Sequence, residues 1–467
     1  MTRCRHILVC IMLVVFLVFQ PRLGAAFGEF GIKDEAELGE KFEILMQAQF
    51  PLVKDPYVVN YLEGILVRVK QAMPPQPFPV RIQIMLDSSV NAFAAPAGYV
   101  FVNTGLIELM QGEDEIAAVV AHELAHVSER HIAQNIEQSK KLSIVTLAGV
   151  LAGALLGAGG SEVGQALSIG SLAGGQAAAL KFSRDDEREA DRIGLSFLTQ
   201  AGYQPEAMMR TFQRMLRQMR MSGHNTPPAY MLTHPGLNER IGSVQDMVDR
   251  FQPKPPLARE DADALAQVKM LLETKYSRRP DQSSLLQKAD DELSCLQVLG
   301  KAIVQSRLNR MSQAEKTFQR ALHCRQDHPL CLREAGWFAF QAGDYQRAGT
   351  LLDKALNKDR ADYLARYYRA RVLAETGATA KAVNDLEQVL QSVPDDSEVH
   401  RTLGRIVGRN GDHFLGYLHL AYAHLYAHRM EETTRFLDQA RELAETAEQK
   451  EKLRHLEEKY TQRKEIL

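Results

Sequence analysis

Between Asp34 and Met73 the apolar positions (Leu38, Phe42, Leu45, Met46, then Val58, Tyr61, Leu62, Ile65, Leu66, Val69) recur at helical spacing. The spacing predicts two helices, and the prolines at 74, 75, 77 and 79 end that stretch. Val80 to Leu86 alternates as a strand does, and Tyr99 to Asn103 reads as a second strand entered through Gly98, so a small antiparallel sheet is expected. Asp114 to Gln134 reads as one long amphipathic helix whose acidic first turn suits the helix dipole. Leu142 to Gly160 is a 19-residue run of small and apolar residues with glycines at 149, 153 and 157 on one helical face. That run is expected to be a buried helix or one in peripheral contact with a membrane surface. A true span is the alternative, which Ser143 and Thr146 weaken. Gly164, Gly170, Gly174 and Gly175 then read as a loop, and Gln252 to Pro256 as a domain boundary.

Beyond Asp261 the pattern becomes periodic. Ala314, Ala348 and Ala382 recur every 34 residues, as do Ala321, Ala355 and Val389, and Phe318, Leu352 and Leu386. Thirty-four residues is the tetratricopeptide period. Asn309, Gly343, Gly377 and Gly411 keep the same step, and they are residue types that tolerate a left-handed turn between helices. Each pair of helices is therefore expected to be a hairpin that buries its apolar side only by stacking on the next. After Gly411 the register shifts by half a repeat, which predicts an irregular last hairpin and a polar capping helix. Such arrays have a concave groove suited to peptides or protein partners.

The amino terminus has Arg3 and Arg5, then 13 apolar residues from Ile7 to Phe19, then Gly24-Ala25-Ala26. This is the pattern of a signal peptide over 1–26, too short to span a bilayer, which needs about 20 apolar residues. The mature chain is expected to be exported. Lys plus Arg number 56 against 58 Asp plus Glu, so no cationic surplus favours a nucleic-acid partner. Of five cysteines, Cys4 and Cys10 fall in the leader, and Cys10 lies inside its apolar core, where a lipid-attachment cysteine does not belong. Cys295, Cys324 and Cys331 fall at the same end of antiparallel helices in repeat coordinates. A Cys295 to Cys324 bridge is possible there, with Cys331 a competing partner and unpaired cysteines the alternative.

The chemistry concentrates in His122-Glu123-Leu124-Ala125-His126. On a helix the i, i+4 spacing puts both imidazoles on one face, where they can share a Zn²⁺, while Glu123 is placed to take a proton as general base. The rest of that helix is strongly apolar (Ile116, Val119, Val120, Leu124, Val127), so buried histidines there need a partner such as a metal. A third protein ligand is required, and Ser183 to Asp191 offers Glu187 or Glu189, between which spacing does not choose. Asp191, one turn beyond Glu187, is placed to bond a ligand histidine or to act in proton transfer. His131 shows no ligand geometry in its neighbours and is expected to be structural.

Together HELAHVSERH, SRDDEREADRIG, NAFAAPAGYVFVNTG and THPGLNERI resemble the M48 zinc metalloproteases over roughly residues 30 to 250. The resemblance implies one Zn²⁺ per chain, a third ligand at Glu187 and a proton-donor assignment for Asp191. It also implies a mostly α fold: an α+β zincin-like metalloprotease domain at 27–252 with a small β-sheet, followed by an α-solenoid of tetratricopeptide repeats at 261–467. In the family Asn91 to Gly105 supplies a strand near the active site. An edge strand there can hold substrate by backbone pairing, with Tyr99, Val100, Phe101, Val102 and Asn103 as the candidate. His234, followed by Pro235 and Arg240, matches the family's H-P-x-x-x-x-R-I stretch. His234 is expected to stabilise an oxyanion or cap the metal's open position at rest, with Arg240 as an accessory residue. The leader and the repeat tail together resemble the periplasmic members of that family that serve β-barrel assembly in Gram-negative bacteria. What this implies is a zinc endopeptidase of the periplasm that degrades misfolded or misassembled outer-membrane proteins, its repeats meeting substrate or the barrel assembly machinery. The alternative is a chaperone or assembly scaffold with mostly latent proteolysis.

Overall fold

The computed structural model describes residues 30–138, 182–221, 230, 233–250 and 263–467. The leader, the apolar run at 142–160 and the boundary at 252–256 lie outside the described residues. Two helices open the described chain, α1 (Ile32–Gln49) and α2 (Pro56–Lys70). The second begins where it does because the Asp55 side chain accepts the Tyr57 N–H and Pro56 occupies the first turn, where its missing N–H costs nothing.

The sheet has three strands, β1 (Arg81–Met85), β2 (Ala92–Ala95) and β3 (Tyr99–Asn103), in the order β1-β3-β2. It is mixed: β1 runs parallel to β3 with Arg81 opposite Tyr99, and β2 runs antiparallel to β3 with Ala92 opposite Val102. The expected antiparallel pairing of β1 with β3 is thus corrected. The residues between them, including the short β2, turn the chain so that β3 re-enters alongside β1 in the same direction. The return from β2 to β3 passes through Ala97, at φ 62, and Gly98, at φ 81.

Helices α3 (Thr104–Leu109), α4 (Glu113–Ser128) and α5 (His131–Gln138) follow. The single helix expected from Asp114 to Gln134 is broken, because Arg130 takes a left-handed φ of 53°. α6 (Arg184–Gln200) and α7 (Glu206–Met221) pack on α4, and α8 (Leu237–Val248) packs on α6 and α7. α6 starts on a capping box in which the Ser183 side chain accepts the Asp186 N–H while Asp186 receives the Ser183 N–H. A Cβ on Gly194 would stand 3.0 Å from the His122 Cα, so this glycine is what lets α6 lie against α4.

α9 (Ala264–Thr274) leads into the repeats: α10 (Cys295–Arg307), α11 (Met311–Cys324), α12 (Pro329–Gln341), α13 (Tyr345–Lys358), α14 (Tyr363–Glu375), α15 (Thr379–Ser392), α16 (Ser397–Arg409), α17 (His413–Tyr426), α18 (Met430–Glu442) and α19 (Ala447–Ile466). The turns at Asn309, Gly343, Gly377 and Gly411 have φ of 57°, 82°, 82° and 98°, as their spacing predicts. Cys295 and Cys324 are bridged, and Cys331 is free and buried. One apolar core runs without interruption from Val53 and Leu62 on the sheet-bearing side to Val298, Phe318 and Phe338 in the repeats. At the other end α19 packs against α1. Among the described residues no helix is long and apolar enough to cross a membrane.

A buried charge cluster joins the two halves. Arg333 of α12, fully buried, reaches Asp55 at 2.8 Å, Glu334 at 2.9 Å and Asp362 at 3.3 Å. Lys275 adds contacts to Glu334 at 2.7 Å and Asp55 at 3.2 Å. Burial pushes the Asp55 carboxyl up, but the charges of Arg333 and Lys275 outweigh it and hold Asp55 below the usual carboxylate range. Burial lifts Asp362 above that range. Beside the cluster, the Tyr363 hydroxyl donates to the Lys54 carbonyl at 2.6 Å.

Candidate metal centre

On α4, His122, Glu123 and His126 are all buried, and their Nε2 atoms approach to 3.1 Å. Glu187 of α6 arrives from the facing helix: Oε1 is 3.5 Å from His126 Nε2 and Oε2 is 3.6 Å from His122 Nε2. His234, just ahead of α8, completes the group, with Nδ1 2.9 Å from Glu187 Oε1 and 3.4 Å from His122 Nε2. One donor atom from each of these four residues lies within 4.8 Å of every other. Glu189 stands outside the group with 47% of its side chain exposed. The choice that spacing left open between the two glutamates is therefore made by which face of α6 meets α4.

Asp191, one turn further along α6, places Oδ1 3.1 Å from His122 Nδ1. Arg240 of α8 binds the same carboxylate through Nε at 2.8 Å and Nη2 at 2.6 Å, and its Nη1 lies 2.5 Å from Glu187 Oε2. The guanidinium rests on the Phe212 ring at 4.5 Å. Burial alone would raise both carboxyls. The His234 and Arg240 charges hold Glu187 well below its ordinary range, and Arg240 with the His122 hydrogen bond holds Asp191 down. Asp191 is thereby placed as an ionised acceptor that orients His122. Burial and Arg240 push His122 down, but its hydrogen bonds to Asp191 and Glu187 prevail and lift it to about 9. Burial drives His126 well below the usual imidazole value.

Two neighbours support His126: His131, expected from the sequence to be structural, and Phe182, which sequence reasoning does not assign. His131 Nδ1 meets His126 Nδ1 at 2.9 Å, and the Phe182 ring stacks on it at 3.8 Å. The left-handed Arg130 turns the chain so that His131, five residues on from His126, faces back toward it. Tyr230 was also missed: its ring stacks on His234 at 4.5 Å, and its buried hydroxyl has no hydrogen-bond partner among the described residues.

Glu123 lies beside the cluster. Its Oε2 accepts the Ala94 N–H at 2.8 Å, whereas Oε1 is buried without a hydrogen-bond partner, as is His234 Nε2. Two imidazoles, a carboxylate and a further imidazole, in a group with orphaned polar atoms, form a nitrogen and oxygen donor set that fits a divalent ion of the zinc class. Asp191 and His131 supply the outer hydrogen bonds that such ligands need.

Tyr99 to Asn103, expected as an edge for substrate, is the middle strand, hydrogen-bonded to β1 on one side and β2 on the other. Its backbone groups are taken, and the sheet edge beside Glu123 belongs to β2, which is buried and gives its Ala94 N–H to that carboxylate.

The sequence profile of peptidase family M48 matches residues 54–248, the segment that contains all of these residues. Residues 54–248 form an M48 metallopeptidase domain. The tetratricopeptide repeat profile matches residues 339–406, within the helical hairpins behind the M48 domain. The chain is similar to the β-barrel assembly-enhancing protease of Escherichia coli (strain K12), 26% identical over 389 residues that cover 81% of this chain and 77% of that protein. It is also similar to the protein of the same name from Yersinia pestis, 31% identical over 242 residues (52% of this chain, 49% of that one). Outside bacteria, the mitochondrial metalloendopeptidase OMA1 of Schizosaccharomyces pombe is 32% identical over 194 residues, 42% of this chain and 54% of that one. The M48 domain thus carries its donor cluster at the meeting of three separate elements, α4, α6 and the approach to α8.

Proposed function

We propose that this chain is an exported zinc endopeptidase of the Gram-negative periplasm that removes misfolded or misassembled outer-membrane proteins. In this reading residues 1–26 are a cleaved leader, 27–252 the peptidase domain and 261–467 a repeat domain that binds substrate or the barrel assembly machinery. The observation that carries it is the buried His122, His126, Glu187 and His234 cluster with Glu123 alongside. The two relatives named for β-barrel assembly support the envelope setting.

His122, His126 and Glu187 would hold the ion, which when bound polarises the scissile carbonyl and acidifies water. Glu123 takes the proton from the attacking water and delivers it to the departing amine. Asp191 and His131 keep the ligand imidazoles in their tautomers, and Arg240 balances the charge of Asp191 and Glu187. An extended substrate pairs on the edge strand β2, in place of the Tyr99 to Asn103 strand, taking over the Ala94 N–H that Glu123 otherwise holds, which brings its backbone beside Glu123.

His234 sits as a fourth donor and caps the position a substrate carbonyl needs, so the resting enzyme is latched. That contact favours a second reading, an assembly scaffold whose proteolysis is mostly latent. Glu123→Gln separates the two: loss of all function supports the peptidase, and retained assembly activity supports the scaffold. If His234→Ala leaves both basal and substrate-stimulated proteolysis unchanged, the latch is wrong. The primary test is bound zinc and casein cleavage on protein lacking residues 1–26, beside Glu123→Gln and Glu187→Gln. Stoichiometric zinc that falls in Glu187→Gln, with cleavage lost in both variants, is expected. Absence of zinc in freshly purified, chelator-free protein would sink the assignment.

A further inference from the structure

The repeat helices nearest the peptidase domain carry an unusual row. Trp337, Arg371 and Arg405 occupy one position of three successive repeats, each 34 residues from the next, on α12, α14 and α16. One turn earlier the same column reads Arg333, Tyr367 and Arg401, and one turn later Gln341, Glu375 and Arg409. The inner helices of successive repeats touch, α12 with α14 and α14 with α16, so equivalent positions line one continuous face. The hydroxyls of Tyr367 and Thr402, 3.1 Å apart, tie two of those helices together on it.

The chemistry of this face is aromatic at one end and cationic along its length. Trp337 stacks on Tyr368 at 4.2 Å and on Phe340 at 5.1 Å, and the Arg371 guanidinium lies 4.9 Å from both the Trp337 and the Phe340 rings. Arg371 is half-buried, and Arg405 and Arg409 are exposed. Among the described residues none of these three arginines makes an ion pair or a hydrogen bond, although Arg333 and Arg401 each have a carboxylate partner. The acidic side chains near this face are Asp55, Glu334 and Asp362, taken by Arg333, Glu398, taken by Arg401, Asp396, paired with Lys54, and Glu375. A planar guanidinium with its N–H groups unspent and its face held on aromatic rings is prepared for a carboxylate.

We propose that this face binds an extended segment of a protein substrate that carries acidic side chains beside an aromatic one. The proposal rests on the reading of the repeats as a substrate-binding domain and names the chemistry they select. Packed helices stand about 8–10 Å apart, and an extended chain advances about 3.3 Å per residue. Carboxylates about three residues apart therefore meet Arg371 and Arg405 together, and an aromatic ring that precedes the first of them meets Trp337 and Phe340 beyond Arg371. The Lys54 to Asp55 loop meets Tyr363 and Arg333 on the same inner helices, so the bound segment lies alongside the peptidase domain.

The chain has a single tryptophan, Trp337, so its own emission reports on the site. The probe is a blocked peptide, Ala-Phe-Ala-Asp-Ala-Ala-Asp-Ala, added to the Glu123→Gln chain so that it survives, beside its isostere with Asn for both Asp. A saturable emission change is expected, weakened about tenfold by the isostere, by the double change Arg371→Gln with Arg405→Gln, and by raised salt. Lysine at both positions should restore part of the binding, which a folding defect would not. Equal affinity for both peptides, or no emission change with the acidic one, would overturn the proposal. So would a response to phosphatidylglycerol vesicles without a response to peptide, which would make the row a lipid-facing surface. Casein cleavage by the Glu123-containing chain is measured separately. Cleavage that depends on zinc while peptide binding ignores charge defeats the groove alone, and charge-dependent binding in a chain that never cleaves defeats the peptidase reading alone.

Discussion

Two fully enclosed arginines organise this molecule, and they are surrounded differently. Arg240 sits among Asp191, Glu187 and His122 at the donor cluster, and Arg333 among Asp55, Glu334 and Asp362 between the two halves. Around Arg333 all three guanidinium nitrogens meet carboxylates and Lys275 adds its own contacts, so the cationic atoms are closed on their partners, while the buried Tyr57 hydroxyl beside them makes no hydrogen bond among the described residues. Around Arg240 the network runs on to His234 Nε2 and Glu123 Oε1, which face each other at 3.5 Å without either making a hydrogen bond among the described residues. A satisfied polar cluster holds architecture in place, whereas an unsatisfied one is held ready for something absent from the chain itself. The comparison teaches that burial and charge density alone do not separate a scaffold contact from a reactive one. The leftover valences do.

The contrast can be broken in order of expected effect. Glu123→Gln keeps the shape of the reactive group and removes its base, and casein cleavage should fall by about 10²–10⁴-fold with the zinc content unchanged. A residual rate near the parent's would mean Glu123 has no such part. Arg333→Met attacks the other group. With Asp55 and Glu334 left buried beside one cation, it should lower stability by about 3–5 kcal/mol, read as a drop in melting temperature. A neutral result would show that the closed cluster contributes nothing to joining the halves.

A smaller effect is expected from His131→Ala, which leaves the donors intact and frees the His126 ring. Zinc affinity should weaken by about 10–100-fold, measured by competition with a chromogenic chelator. The last test is one of acid dependence. Because Asp55 is held below its unfolded value of about 3.9, it contributes stability above that pH, and the contribution is lost as acid takes the pH through the folded value. In Arg333→Met one of the two cations is gone while Lys275 and the Tyr57 N–H remain, so the loss of stability on acidification through the same window should be smaller. Melting temperatures of both chains between about pH 5 and 2.5 decide it. Parallel curves would remove Arg333 as the cause.

Much of this architecture is legible in the sequence because it repeats or because it is local. The left-handed turns at Asn309, Gly343, Gly377 and Gly411 are fixed by a period, and a period survives without knowledge of packing. The i, i+4 histidines announce themselves for the same reason. What fails depends on how distant segments meet. The side-chain pattern of Tyr99 to Asn103 says strand but not which neighbours it has, and it proves to be the middle of the sheet with β2 taking the edge. Choosing Glu187 over Glu189 needed the crossing of α6 on α4, which Gly194 permits. His131 carries no signal of its own, since its approach to His126 depends on one left-handed residue, Arg130, between two helices that periodicity reads as one.

The contact of α19 with α1 bears on how the array comes apart. A linear stack of repeats ordinarily frays from its free end, since the terminal unit has one neighbour and its loss is the cheapest opening. Here the last helix is moored to the first helix of the preceding domain, and that cheap step disappears. The array behaves as a clasped bracelet, which opens at the clasp as a whole or stays shut.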